Sequence, residues 1–174
     1  AAEAAAAAEA AEAVFAAADA AAAAARDAAL TARATATTAA SAAAAAANSA
    51  LFASIEINDE ATLEEAVLMG ASVDATTVVE EEQGPYFPAG AVTALMLAAK
   101  LHRTELVRSL LRHGCDASAI ICSCLFSALG VAAYVGADGS TIVAIAEAGA
   151  DVNTPNIHDE RPTHIAALKG HDST

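Results

Sequence analysis

The chain has 174 residues, a formal net charge of −14 and only eight lysines and arginines. Because a strongly acidic protein is repelled by phosphate backbones and anionic lipid, this composition argues against general binding of nucleic acid or membrane surfaces. Three cysteines, an odd and low number, favour a reducing compartment over a disulfide-stabilised scaffold. We therefore expect a cytoplasmic or nuclear protein.

The first 48 residues are a low-complexity alanine tract. Alanine is the best helix former but buries little surface, so the tract predicts a solvated, fraying helix, with a disordered linker as the alternative. Residues 28–50 are rich in alanine, serine and threonine with one arginine, which leaves organelle targeting open. No charge occurs between Arg33 and Glu56, but this stretch is too weakly apolar for stable insertion, so we expect no membrane insertion.

Beyond the tract, four segments align with one another without gaps. They lie at residues 49–55, 93–99, 127–133 and 161–167. Their starts are separated by 44, 34 and 34 residues. Fixed periods of 20 to 50 residues indicate a solenoid of repeated supersecondary units.

Local chemistry predicts where the helices of each unit begin. Ser49, Thr93 and Ser127 stand one residue before a helical stretch, where a hydroxyl can accept from unpaired backbone N–H groups. Pro162 suits a first helical position because its missing N–H is not needed there. Arg161, which takes the place of the capping hydroxyl, cannot cap in this way.

Glycines predict where the helices end. Gly70, Gly114 and Gly149 each follow an apolar helical stripe, where the chain must turn through a left-handed conformation. Gly136 and Gly170 do the same after the first helices of their units, and Asn58 takes that place in the first unit. The pattern predicts pairs of helices joined by tight turns.

These residues resemble the ankyrin repeat family, whose period is near 33 residues and whose motif is Thr-Pro-Leu-His-x-Ala. Residues 90–116 are similar to the family throughout, and Pro162 and His164 take its proline and histidine places. The resemblance implies an all-α solenoid of stacked helix–turn–helix units. The units implied lie near residues 49–82, 90–124 and 125–158, with a truncated fourth at 159–174.

The resemblance also implies a function. Solenoids of this family present an extended surface to another protein, so we expect a protein partner, with no catalytic residue, cofactor or small-molecule substrate. Two alternatives stay open. Both ends look cut, so the chain could be a regulatory segment of a longer enzyme or channel, or it could act as a structural spacer with the alanine tract as a semi-rigid arm.

Ten extra residues between the first two units enlarge the loop at residues 75–90. Insertions of this kind map to loops on one face, often the binding face. Tyr86 and Phe87 stand between two prolines there, and rigid aromatic side chains are typical binding anchors. We predict partner contacts at Tyr86, Phe87, Met96, Lys100 and Arg103; alternatively, the two aromatic side chains fold back onto the stack.

Three other clusters of charged or metal-binding residue types give weaker indications of a functional site. The run at residues 80–82 is three consecutive glutamates, which on a loop point in different directions and predict a solvated charge run. Basic residues and histidines gather at residues 100–113, as a patch for an acidic partner or as neutralisation of that run. His113 with Cys115, Cys122 and Cys124 lacks the paired spacing of a structural zinc site, so we expect no metal.

Overall fold

The computed structural model describes residues 2–79, 90–121 and 125–171, with side chains from residue 14 onward and excluding that of residue 121. The described chain is mostly helical, with two short hairpins. The helices are α1 (Ala2–Ile57), α2 (Glu60–Leu68), α3 (Ala94–Lys100), α4 (Thr104–Arg112), α5 (Ala128–Val135), α6 (Gly139–Glu147) and α7 (Pro162–Lys169). The strands are β1 (Thr76–Val79), β2 (Gly90–Thr93), β3 (Ile120–Ile121) and β4 (Phe126–Ser127).

The chain forms two compact units, Ala1–Ala42 and Ala43–Thr174. In the first, the alanine tract is helical and its described side chains are exposed. Threonine hydroxyls of this helix donate to backbone carbonyls three or four residues earlier, such as Thr31 to Asp27 at 2.8 Å. The helix follows from alanine propensity, because there is almost no side-chain burial to support it.

One helical stretch, residues 14–57, is long and apolar enough to cross a membrane by length and composition. The C-terminal part of this stretch is buried, because Ala47, Leu51 and Ile55 pack into the core of the second compact unit. Thirteen uncharged residues separate Arg33 from Ala47, whereas a spanning helix needs about 20. The burial of the C-terminal part therefore competes with insertion.

The second unit is built from stacked helices. The first helices of successive pairs pack in one row, α3 on α5 and α5 on α7. The second helices pack in another row, α2 on α4 and α4 on α6. Within each pair, α3 packs on α4 and α5 packs on α6. The expected all-α stack of helix–turn–helix units is confirmed.

Two antiparallel hairpins lie between the helix pairs. β1 pairs with β2 in the register Thr76 with Thr93, and β3 pairs with β4 in the register Ile120 with Ser127. β2 also contacts β3, so the hairpins follow each other along the stack. β2 and β4 each lead directly into the next first helix, which places the hairpins beside the N-terminal ends of α3 and α5.

The predicted helix caps are confirmed at two of three positions. The hydroxyl of Thr93 accepts from the N–H of Met96 at 3.1 Å, and that of Ser127 accepts from the N–H of Gly130 at 3.1 Å. The prediction for Ser49 is wrong, because α1 runs through this residue. Alanine on its N-terminal side continues the helix, so no unpaired N–H groups are left there for the hydroxyl to cap.

The predicted left-handed residues are also confirmed. Gly70, Gly114 and Gly149 end the second helices with φ of 95°, 79° and 99°. After the first helices, the same role falls to Asn58, Gly136 and Gly170, with φ between 61° and 74°. His102, which no sequence pattern indicated, holds this place after α3 at a φ of 57°.

Leucines at equivalent positions of the helical repeats fill the layers between successive repeats. Leu51, Leu95 and Leu129 stand at equivalent positions and are all fully buried. The fourth equivalent residue is Thr163, which is exposed. An apolar cavity of about 120 Å³ lies here, lined by Leu129, Ala133, Ile142, Val152, Pro162, Thr163 and Ala166. The shorter polar side chain leaves the last layer incompletely filled.

We predict that Thr163→Leu stabilises the second unit by about 1 kcal/mol, part of the 1.5–3 kcal/mol for complete burial of a leucine. The measurement is urea unfolding followed by circular dichroism. Thr163→Val is the matched control, since it removes the hydroxyl without adding length and should gain less. A destabilised Thr163→Leu variant would show that the cavity does not accept the longer side chain.

Two glycines with positive φ differ in the space around them, so alanine substitutions there distinguish backbone strain from steric conflict. A Cβ at Gly114 would meet nothing within 4 Å, whereas a Cβ at Gly136 would lie 2.6 Å from the imidazole ring of His171. We predict that Gly114→Ala costs about 1 kcal/mol from its positive φ alone, and that Gly136→Ala costs more, about 2 kcal/mol. Equal losses in chemical denaturation would mean that the His171 ring moves aside without cost.

Candidate functional site

A groove lies where the last turns of α1, strand β1, helix α3 and the turn after α3 meet. We call it the α1–α3 groove; its volume is about 360 Å³. It is lined by Phe52, Glu56, Thr77, Val78, Val79, Leu97, Lys100, Leu101 and Arg103. Ligand pockets usually start at about 300 Å³, so the groove is large enough for one or two partner side chains.

Apolar side chains form part of the groove walls. Phe52, Val79 and Leu101 are half-buried and pack against the core, while Leu97 is buried among the core residues. Val78 also lines the groove and is 68% exposed. Apolar surface that the stack covers only partly is available for a further contact.

Arg103 holds one side of the groove. Its Nη2 donates to the carbonyl oxygen of Glu56 at 3.3 Å, which ties the start of α4 to the end of α1. Its Nε is buried and finds no acceptor within the part of the chain whose side chains are described. A buried N–H without an acceptor costs about 1–3 kcal/mol, so this donor favours any acceptor that enters beside it.

The structure places the five predicted contact residues differently. Lys100 ends α3 and is half-buried, and it lines the groove with Arg103. Met96 is 2% exposed and belongs to the core, which corrects its prediction as a surface contact. Its side chain packs inward because α3 is covered by α4 and α5. Tyr86 and Phe87 lie outside the described residues.

Sequence reasoning missed several residues of the groove. Phe52 and Glu56 stand in the first helical repeat at the positions equivalent to Met96 and Lys100. The gap-free alignment of the repeats could therefore have indicated them as contact residues. Phe52 is half-buried, whereas Met96 is buried in α3, which packs on α4 and α5. No sequence signal identified Thr77 and Val79, since their places depend on how β1 pairs with β2.

The basic cluster at residues 100–113 does not form one surface. Arg112 pairs with Glu60 and His113 with Glu64, each at 2.7 Å, so both residues join α4 to α2. Arg108 lines a separate, open groove between α4 and α6. Lys100 and Arg103 alone of this cluster line the α1–α3 groove.

Glu64 is the centre of the polar contact between α2 and α4. It accepts from the hydroxyl of Ser109 and bonds the ring of His113, both at 2.7 Å. These two hydrogen bonds, that of Ser109 first, lower the pKa of the Glu64 carboxyl. They stabilise the stack of second helices and therefore belong to the fold and not to the α1–α3 groove.

Cys115 is the one cysteine whose side chain is described. It is buried, carries no disulfide, and its pKa is raised to about 12, chiefly by burial. A thiol with such a pKa stays protonated at neutral pH, and metals and disulfide exchange require the thiolate. Cys122 and Cys124 lie outside the described residues. Across the described side chains, no cluster of histidine, cysteine and carboxylate groups could hold a metal ion.

Comparison with known proteins identifies one segment. The model of the ankyrin repeat family matches residues 92–121, which run from β2 through α3 and α4 to β3. No curated protein matches the chain. The matched segment supplies the centre of the stack, and the helix pairs on both sides repeat its packing and its left-handed turns. The comparison therefore identifies one ankyrin repeat within the chain, at residues 92–121.

Proposed function

We propose that this chain binds another protein through the α1–α3 groove and the hairpin beside it, and that it catalyses no reaction. Ankyrin repeats are typically interaction modules without catalysis, and one is present at residues 92–121. The observation that carries the proposal is the groove itself, where apolar walls and two cationic side chains meet on an otherwise strongly acidic chain.

The composition of the groove fits a protein partner better than a metabolite. Apolar walls from Phe52, Val79 and Leu101 can receive a partner's apolar side chain, and a charged rim fixes its orientation. The groove is open to solvent along β1, where Val78 extends the apolar surface outward. A small molecule is usually enclosed more completely than an open groove of this kind allows.

Residues 80–89 connect β1 to β2 and contain Tyr86 and Phe87. Val79 lines the groove and pairs with Gly90 in the hairpin, so the connection starts and ends beside the groove. We propose that the two aromatic side chains extend the contact surface. Tyrosine and phenylalanine supply large apolar area at low cost in side-chain entropy.

The described cysteine and the net charge bear on where the chain resides and on what it binds. We propose a reducing compartment, the cytoplasm or nucleus, which a buried and protonated Cys115 tolerates. We also propose that nucleic acid and membrane lipid are not partners. A net charge of −14 opposes both, and burial of Leu51 and Ile55 removes apolar residues that insertion would need.

The test is quantitative capture of partner proteins from an extract of the source cells by the immobilised full chain. We expect Tyr86→Ala/Phe87→Ala and Lys100→Ala each to reduce capture of the same proteins about tenfold, the effect of losing about 1.4 kcal/mol of binding energy. Leu168→Ala is the matched control, because Leu168 is an exposed apolar residue on α7 that does not line the groove.

Circular dichroism verifies that each variant keeps the helical content of the parent chain. Capture that is the same for the parent chain and both groove variants would contradict binding through this surface. Capture that Leu168→Ala reduces as strongly would place the contact at the other end of the stack.

A further inference from the structure

The electrostatic character of the α1–α3 groove differs from that of the whole chain. Among the described residues, the lining includes two cations, Lys100 and Arg103, and one carboxylate, that of Glu56, whereas the whole chain carries 22 acidic and eight basic residues. Arg103 uses one nitrogen on the backbone carbonyl of Glu56, not on its carboxylate. The guanidinium is therefore tethered in place while its charge is left unneutralised by that bond.

The donor pattern of Arg103 is incomplete. Nη2 has its acceptor at 3.3 Å, but Nε, buried at the edge of the groove, has none within the described side chains. Planar guanidinium groups recognise carboxylates through two parallel N–H donors, and such charge-assisted bonds are roughly twice as strong as neutral ones. A small turn of the guanidinium toward an entering carboxylate would give Nε its acceptor.

We propose that the α1–α3 groove selects an acidic peptide segment of its partner, with an aspartate or glutamate against Arg103 and a neighbouring apolar side chain between Phe52 and Leu101. This inference rests on the proposed protein-binding function and specifies the chemistry of the partner at the same site. The apolar walls need an apolar side chain next to the carboxylate, which distinguishes this segment from a plain acidic tail.

The net charge of the chain works against the approach of any anion, but over a limited range. At physiological ionic strength the screening length is about 8 Å, so distant carboxylates contribute little at the groove. A pair formed with the half-buried Arg103 is screened much less than an exposed pair. Nucleic acid, with one negative charge per about 1.7 Å, would bring many phosphates past the acidic surface and is disfavoured.

The experiment measures fluorescence anisotropy of labelled octapeptides with the full chain at about 0.15 M salt. One peptide alternates leucine with aspartate, the second replaces each aspartate with asparagine, and the third replaces each with lysine. We expect the aspartate peptide to bind at least about tenfold more tightly than the other two, equal to about 1.4 kcal/mol. Methyl shifts at Val79 and Leu97 would locate the peptide in the groove.

Variants of two arginines test the assigned residue. Arg103→Gln should abolish the preference for aspartate over asparagine, while Arg103→Lys, which keeps the charge but not the planar donor pair, should retain part of it. Arg108→Gln is the control with the same change of charge, since Arg108 lies in α4 and lines a different groove. It should leave the preference unchanged.

Three results would overturn the inference: no saturable binding of the aspartate peptide up to about 1 mM, equal binding of the asparagine peptide, or tighter binding of a labelled octanucleotide. None of these outcomes changes the capture of whole proteins by the groove surface. Loss of aspartate preference with retained capture would therefore refute the acidic segment and leave the binding function standing. If the groove variants lose capture of whole proteins but the parent chain shows no preference for the aspartate peptide, the groove is a binding surface and the acidic segment is refuted.

Discussion

The structure depends on the close packing of small and leucine side chains between successive first helices. Ala98, Ala99 and Ala132 are fully buried, and their size lets the helix backbones approach one another. Leu95 and Leu129 fill the layers that remain, so each helix pair buries its apolar face only against its neighbours. A single pair of seven- to nine-residue helices is too short to be stable alone, which makes the stacking the source of the fold's stability.

The candidate site follows from the same stacking. Because β2 leads directly into α3, the hairpin stands beside the first helices, and the groove forms between them where the stack covers Phe52 and Leu101 only in part. The hydrogen bond from Arg103 to the carbonyl of Glu56 joins the start of α4 to the end of α1 beside the groove. The proposed recognition would use side chains whose backbone positions the fold has already set, which lowers the entropy lost on binding.

The sequence predicted the stack because caps, left-handed turns and apolar stripes are local, as at Thr93, Ser127 and Gly114. It failed where the outcome depends on neighbours. Ser49 is not a cap, since the alanine tract before it is also helical. Equivalent positions have different burial, so Met96 lies in the core while Phe52 lines the groove. That Nε of Arg103 has no acceptor among the described residues depends on the packing around it, which the sequence does not indicate.

Residue-resolved hydrogen exchange of the full chain carrying Leu95→Ala tests most directly whether neighbouring helix pairs stabilise each other. Removing this buried side chain costs about 2–5 kcal/mol where the surroundings relax little. If neighbouring helix pairs stabilise each other, protection from hydrogen exchange falls in α3 and α4 and also in α5, which packs on α3. The exposed Leu30 gives the control, since Leu30→Ala should leave the second unit unchanged. A loss confined to α3 and α4, with α5 as protected as in the parent chain, would contradict the stacked-repeat account.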